Sequence, residues 1–180
     1  MNGIKMITTL LLIISIAFLS GCGIIDKLSS DTEKTKSENS TEYIVKNQNK
    51  LCTETAEKVF DSLKDHDTEA LMSMFCQKVK NKSNFEQELA KMYDFFDDEI
   101  VSYQWISDPE TGELTSNGEV ERLNGNPYLK TVKTSTGHEY DICVQIVLIY
   151  KDTEWEGVTQ LGIHDKQTDG YLRVGIAFDY

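Results

Sequence analysis

Basic residues are what this sequence is short of: 18 Lys and Arg stand against 30 Asp and Glu, a formal net charge of −12 over 180 residues. A polyanion is held by clustered Lys and Arg that release its counterions, so a nucleic-acid partner is excluded. Histidine is sparse too: His66, His138 and His164 stand far apart, none in a metal-spaced pair, and no zinc site is readable. The charge-free run from Met6 to Leu19 has 14 residues. That is short of the roughly 20 a helix needs to cross the hydrocarbon core, so it does not predict a permanent membrane span. What is present, with 39% hydrophobic residues, is one ordinary globular domain plus extras.

The extras come first. Lys5 precedes the apolar run, and Ser20 and Gly21 follow it in place of basic stop-transfer residues, the profile of a signal peptide over residues 1–21. Leu19-Ser20-Gly21-Cys22 resembles the lipobox of bacterial lipoproteins, where small residues before the cysteine let a membrane-embedded peptidase approach the bond. The resemblance implies that Cys22 becomes the first mature residue and that its thiol carries a thioether-linked diacylglyceryl group. Two or more acyl chains, at about 0.8 kcal/mol per buried methylene, anchor stably where one does not. The alternative is a cleaved secretory signal with a coincidental cysteine.

Beyond the signal, residues 22–50 are rich in Ser, Thr, Asn, Lys and Glu and read as a flexible tether. Five lysines there match five acids, so the mature excess, 17 − 30 = −13, lies in residues 51–180. The Tyr43-Ile44-Val45 patch leaves open an earlier start to the first helix.

Residues 51–180 are long enough for a single core. Cys52, Ala56, Val59, Phe60 and Leu63 fall on one helical face. Asp65-His66-Asp67 breaks that helix, and Asp67 is placed to cap a second carrying Ala70, Leu71, Met74 and Phe75. Ser83-Asn84-Phe85-Glu86 reads as a capping box opening a third, with the stripe Phe85, Leu89, Met92, Tyr93 and Phe96. From Glu99 the period becomes two. Tyr140, Ile142, Val144, Ile146, Leu148 and Tyr150 share one side of a strand whose other side is polar at its start and apolar at its end. A last strand alternates from Leu172 to Tyr180, and others are expected over 100–106, 118–123, 128–134 and 155–164. Thr136-Gly137, Asp152-Thr153 and Asp169-Gly170 supply hairpin turns. The class is α+β: three N-terminal helices packed on one curved antiparallel sheet.

This order, with the pieces Phe95-Phe96-Asp97-Asp98-Glu99-Ile100-Val101-Ser102-Tyr103, Thr136-Gly137-His138-Glu139-Tyr140 and Glu156-Gly157-Val158-Thr159-Gln160-Leu161, resembles an uncharacterised family of Gram-positive lipoproteins. That family is a domain of unknown function placed among the cystatin-like, nuclear-transport-factor-two-like cone folds. The resemblance spans roughly Ala56 to Ile176. It implies a cone fold and brings no catalytic residues.

Chemistry is thin. Asp94, Asp97, Asp98 and Glu99 crowd the end of the third helix and raise a calcium reading, against which stands a solvated turn. Asp152-Thr153-Glu154-Trp155-Glu156-Gly157 starts like a calcium loop but has Ile163 at its twelfth position, so the match fails. Once Cys22 is spent, Cys52, Cys76 and Cys143 leave at least one thiol unpaired, with buried free thiols the default and a Cys52–Cys76 bridge the alternative. His66 and His138 read as solvated turn residues. Cone folds can host enzymes that use carboxylates and tyrosines, and Asp141, Tyr103 and His164 are the strand residues to nominate, though fold analogy alone cannot carry function.

No cofactor is called for. The expectation is a lipoprotein on the extracytoplasmic face of the membrane of a Gram-positive bacterium, held by lipid on Cys22, whose domain binds an unknown protein or small ligand without catalysis. An immunity or accessory protein at the cell surface is a special case. The alternative is an enzyme acting on a small hydrophobic substrate inside the cone.

Overall fold

The computed structural model describes residues 40–96 and 98–178. The expected signal peptide over 1–21, Cys22, residues 22–39 of the expected tether, Asp97 and residues 179–180 lie outside them. The helical part begins ahead of the expected boundary at 51: α1 spans Thr41–Lys46 and takes in the Tyr43-Ile44-Val45 patch, and α2 spans Gln48–Lys64. On α2 the residues at helical spacing, Cys52, Ala56, Val59, Phe60 and Leu63, are all buried, and Ser62 with them. The chain leaves α2 through His66, whose positive φ of 53° reverses its direction. Asp67 then caps α3 (Thr68–Met74) by accepting the Ala70 N–H at 2.9 Å, as its position predicts. A short α4 (Gln77–Lys80) follows. The capping box expected at Ser83 does not form. Asn84 is the residue before α5 (Phe85–Phe95), its side chain makes no cap bond, and its amide donates instead to Glu88.

The rest of the chain is strand: β1 (Ile100–Ser102), β2 (Trp105–Ile106), β3 (Glu110–Ser116), β4 (Glu119–Asn126), β5 (Tyr128–Thr134), β6 (Glu139–Tyr150), β7 (Gly157–Asp165) and β8 (Tyr171–Gly175). All pair antiparallel in one eight-stranded sheet. The long β6 organises it. Along one edge β6 meets β5 with its first half and β4 with its second, and along the other it meets β7, beyond which lies β8. Pro127 stands between β4 and β5, where its missing N–H interrupts no bond while its carbonyl accepts the Val144 N–H at 2.9 Å. β3 borders β4, and β1 and β2 border β5.

The protein is thus α+β, with helices N-terminal to a large antiparallel sheet. The inward side of β6 is the one its alternation selects: Tyr140, Ile142, Val144 and Ile146 are buried in one cluster with the apolar faces of α2 and α5 and with Leu129, Val132, Leu161, Ile163 and Val174. Aromatic rings fill the space between the layers. Phe75 meets Phe85 edge-on at 4.8 Å, Phe96 meets Tyr140 at 5.0 Å, and Phe60 meets Tyr103 at 4.6 Å. The segment joining α3 to α4 lies against β7, Cys76 N–H donating to the Val158 carbonyl. Gly157 permits this approach: its φ is +121°, and a Cβ there would stand 2.9 Å from the Met74 carbonyl oxygen.

Two details depart from the alternation pattern. β3 was not expected, because Glu110–Ser116 is an edge strand, exposed on most of its length, with only Leu114 large and apolar. The last strand stops at Gly175 instead of running to Tyr180. There φ is +99°, and a Cβ would fall 2.3 Å from the Thr159 carbonyl oxygen. The chain then turns so that Phe178 is buried against Tyr150 and Trp155, with its N–H and C=O both held by the Gln145 amide. Val147, on the second face of β6, is likewise buried, so that face passes from solvent into a covered region as its composition predicts. Among the described residues, no helix is long and apolar enough to cross a membrane.

Candidate functional site

The most unusual backbone in the sheet lies in β5. Leu129 opposes Ile142 and Val132 opposes Tyr140, so Lys130 and Thr131 together face Asp141, a β-bulge. Thr131 has φ +53°, a region a β-branched residue rarely enters. The bulge takes its N–H out of the ladder, and the Asp141 carboxylate collects it at 2.9 Å while pairing with Lys130 Nζ at 3.0 Å. Burial alone would raise the Asp141 carboxyl. The Thr131 N–H and the Lys130 ammonium override that and hold it below its ordinary value. Bulges of this kind re-aim a side chain, and the strain they carry collects at functional sites.

Beside the bulge an open polar hollow of about 600 Å³ is lined by Ser102, Tyr103, Gln104, Thr131, Lys133, Glu139 and Lys166. Among them Glu139 sits between two ammonium groups, Lys133 Nζ at 3.1 Å and Lys166 Nζ at 3.0 Å, which together lower its pKa. Lys166 also donates to Thr131 Oγ1 at 3.3 Å, tying the charged group to the strained residue. Two cations against one carboxylate leave the hollow net positive, in a chain whose formal charge is −12. Gln104 is fixed through its N–H to the Lys130 carbonyl. Trp105, next along the chain and opposite Lys130, is 51% exposed.

Lys166 is positioned by the β7–β8 turn. Its N–H donates to the Glu139 carbonyl, and the turn is gathered by one buried carboxylate, Asp165. Asp165 accepts the N–H groups of Gln167 and Thr168, the Thr168 hydroxyl at 2.6 Å, and His138 Nε2 at 2.7 Å. Burial would raise this carboxyl, but the Thr168 hydroxyl, His138 and the two amides hold it well below the usual carboxylate range. His138 is therefore not the solvated turn residue its position after Gly137 suggested. Its ring stacks on Tyr140 at 4.8 Å and its side chain is 21% exposed.

Of the three nominated strand residues only Tyr103 lines the hollow. Asp141 is not among its lining residues and is engaged with Thr131 and Lys130. His164 is the cross-strand partner of Asp141 but turns to Asp169 at 2.8 Å. His66 stacks on Tyr93 at 5.2 Å in the α2–α3 loop. In the acidic cluster Asp98 accepts the Glu99 N–H and the Ser135 hydroxyl, Asp97 lies outside the described residues, and among those residues no group of three acids, histidines or cysteines is placed to hold a metal. Cys52, Cys76 and Cys143 are free thiols. Burial pushes Cys52 up to about 12 and raises Cys76 and Cys143, the opposite of what a nucleophile needs.

Periodicity did not single out Thr131, Lys133, Glu139 or Lys166. A signal was present: Leu129 and Val132 both need the core, yet stand three apart where a regular strand allows only an even spacing.

Residues 58–167 match a domain of unknown function, DUF5104, and the chain belongs to that family. The match takes in every residue lining the hollow. No curated protein matches the chain.

Proposed function

We propose that this DUF5104 protein is a membrane-anchored extracytoplasmic lipoprotein of a Gram-positive bacterium, held by lipid on Cys22, whose domain is a non-enzymatic binding module. Its fold, on this reading, is the cystatin-like cone that the family resemblance implies. Residues ahead of α1 act as the tether. The observation that carries the binding role is the hollow around Thr131: a strained backbone held open by Asp141, offering hydroxyl, amide, ammonium and carboxylate groups to solvent. Support for the anchor comes from Leu19-Ser20-Gly21-Cys22 after a charge-free run.

An enzyme working on a hydrophobic substrate inside a cone is the weaker reading. The space between helices and sheet is occupied by Phe60, Phe75, Phe85, Phe96 and Tyr140, and the hollow by Thr131 is polar. Glu139, its carboxylate, is kept ionised by two lysines, which suits binding better than proton transfer.

Two measurements on intact cells test the proposal. Cys22→Ala should leave an uncleaved precursor or release the protein to the medium; unchanged processing and membrane retention would defeat the anchor. A photocrosslinking amino acid at Gln104 should capture a ligand or partner that the same group at exposed Ser73, on α3, does not. Equal or absent capture at both positions would defeat the binding role.

A further inference from the structure

The geometry points to a small hydroxylated anion, a sugar or polyol bearing a carboxylate or phosphate, as the ligand of the hollow beside Thr131. This rests on the binding role proposed above and adds the chemistry of what is bound. Three features select the class. First, charge: Lys133 and Lys166 outnumber Glu139 within the lining, a local excess of cation in a chain of net −12, so an anion is drawn to this place. Both ammonium groups already hold one carboxylate at 3.0 to 3.1 Å, the geometry an incoming carboxylate or phosphate would adopt. Second, the other lining residues are Ser102, Tyr103 and Thr131, which carry hydroxyls, and Gln104, which carries an amide, all groups able both to donate and to accept. That dual capacity matches ligand hydroxyls, which have the same one; a purely apolar ligand would leave these groups unpaired.

Third, the site is built. A β-branched residue at φ +53° would relax into the ladder unless something held it, and the Asp141 carboxylate on its N–H and Lys166 on its Oγ1 do so. The volume, about 600 Å³, accommodates a monosaccharide or a disaccharide and little more.

The test titrates the full chain, purified in detergent micelles, with D-glucuronate, D-glucose 6-phosphate, D-glucose and inorganic phosphate, following the backbone amides of Ser102, Gln104, Thr131 and Lys166. At least one of the two sugar anions should shift these amides saturably, while glucose and phosphate bind about tenfold or more weakly, since each lacks one half of the recognised chemistry. Which of the two binds separates carboxylate from phosphate. Lys133→Met and Lys166→Met should each weaken binding about tenfold or more, Lys133→Met, which leaves the hold on Thr131 in place, at unchanged thermal midpoint. Glu139→Gln, which releases both lysines, should tighten it several-fold.

Glucose binding as tightly as its anions, Glu139→Gln weakening the complex, or no shift at these amides with any probe would each overturn the assignment. Failure here is separable from failure of the binding role. Capture at Gln104 on cells without sugar-anion binding leaves the module standing and its ligand class wrong, whereas absence of both removes the two together.

Discussion

The Asp141 carboxylate accepts the backbone N–H of Thr131 at 2.9 Å, and so stabilises a backbone conformation that Thr131 would not adopt alone. A glycine at 131 needs no such support. Thr131→Gly should leave stability unchanged or raise it by up to about 1 kcal/mol, the relieved strain set against the greater freedom of glycine in the unfolded chain. Asp141→Asn replaces a charged acceptor of two bonds and should cost about 1.5–3 kcal/mol. Urea unfolding of both variants measures this. A Thr131→Gly variant losing more than Asp141→Asn would mean that the Thr131 side chain, through its bond to Lys166, stabilises the fold by more than the backbone strain costs.

Acid should loosen the β7–β8 turn in a defined direction. The folded-state pKa of Asp165 lies below its unfolded value of about 3.9, so the folded protein prefers the ionised form. The stability this contributes is fully present above that unfolded value and is lost as pH falls through the lower folded one. Removing the 2.6 Å donor with Thr168→Val raises the folded pKa and shrinks the difference. Unfolding free energy measured from pH 7 to pH 2.5 should therefore fall less steeply below pH 4 in Thr168→Val than in the parent, although the variant starts about 1–2 kcal/mol less stable at neutrality. Parallel curves would show that Thr168 does not set the Asp165 equilibrium.

What could be read from the sequence was what obeys a period. The α2 and α5 stripes and the Tyr140 to Ile146 face follow simple repeats because each is decided by one requirement, burial against a single layer. The N-cap at Asp67 was readable because it is local. The features missed are those where two requirements compete. β3 pairs only with β4 and faces water, so its composition obeys no core, although the Asn117-Gly118 turn, at φ 53° and 83°, marks a hairpin. Thr131 breaks the alternation, and the hollow needs Lys166 from a turn more than thirty residues away, brought back by the Asp165 cluster. Long-range positioning of that kind leaves no mark in a short window. His138 illustrates it: its neighbours describe a turn, and it is the arrival of Asp165, 27 residues on, that ties down its ring.

Cys52 should be chemically silent in the folded protein. It is 0% exposed, burial pushes its thiol up to about 12, and its sulfur lies against Gly125, where an added Cβ would stand 2.5 Å away. Iodoacetamide at pH 8 should leave Cys52 and Cys76 unmodified in native protein and label both after denaturation, as read by peptide mass spectrometry. The same packing makes Gly125→Ala an overpacking change worth about 1–3 kcal/mol, because neither α2 nor β4 can withdraw from a buried interface without opening others. Native labelling of Cys52, or a Gly125→Ala variant as stable as the parent, would show that α2 does not sit against β4 this closely.

The assignment of the two sheet faces is open to a paired test. Val144 is 0% exposed, lies opposite Leu161 and belongs to the core shared with the helices. Val144→Asp places a carboxylate there with no cation or donor to meet it, and should cost several kcal/mol or prevent folding. Arg173, on β8 opposite Gly162, is exposed on the other face and reaches over the Tyr171 ring at 5.2 Å. Arg173→Asp imposes a larger change of charge but should shift stability by only about 0.5 kcal/mol, since water solvates both side chains. Circular dichroism and urea midpoints read both variants. If the two costs were similar, β6 would be in the wrong register, because a slip of one residue is what exchanges buried and exposed positions along a strand.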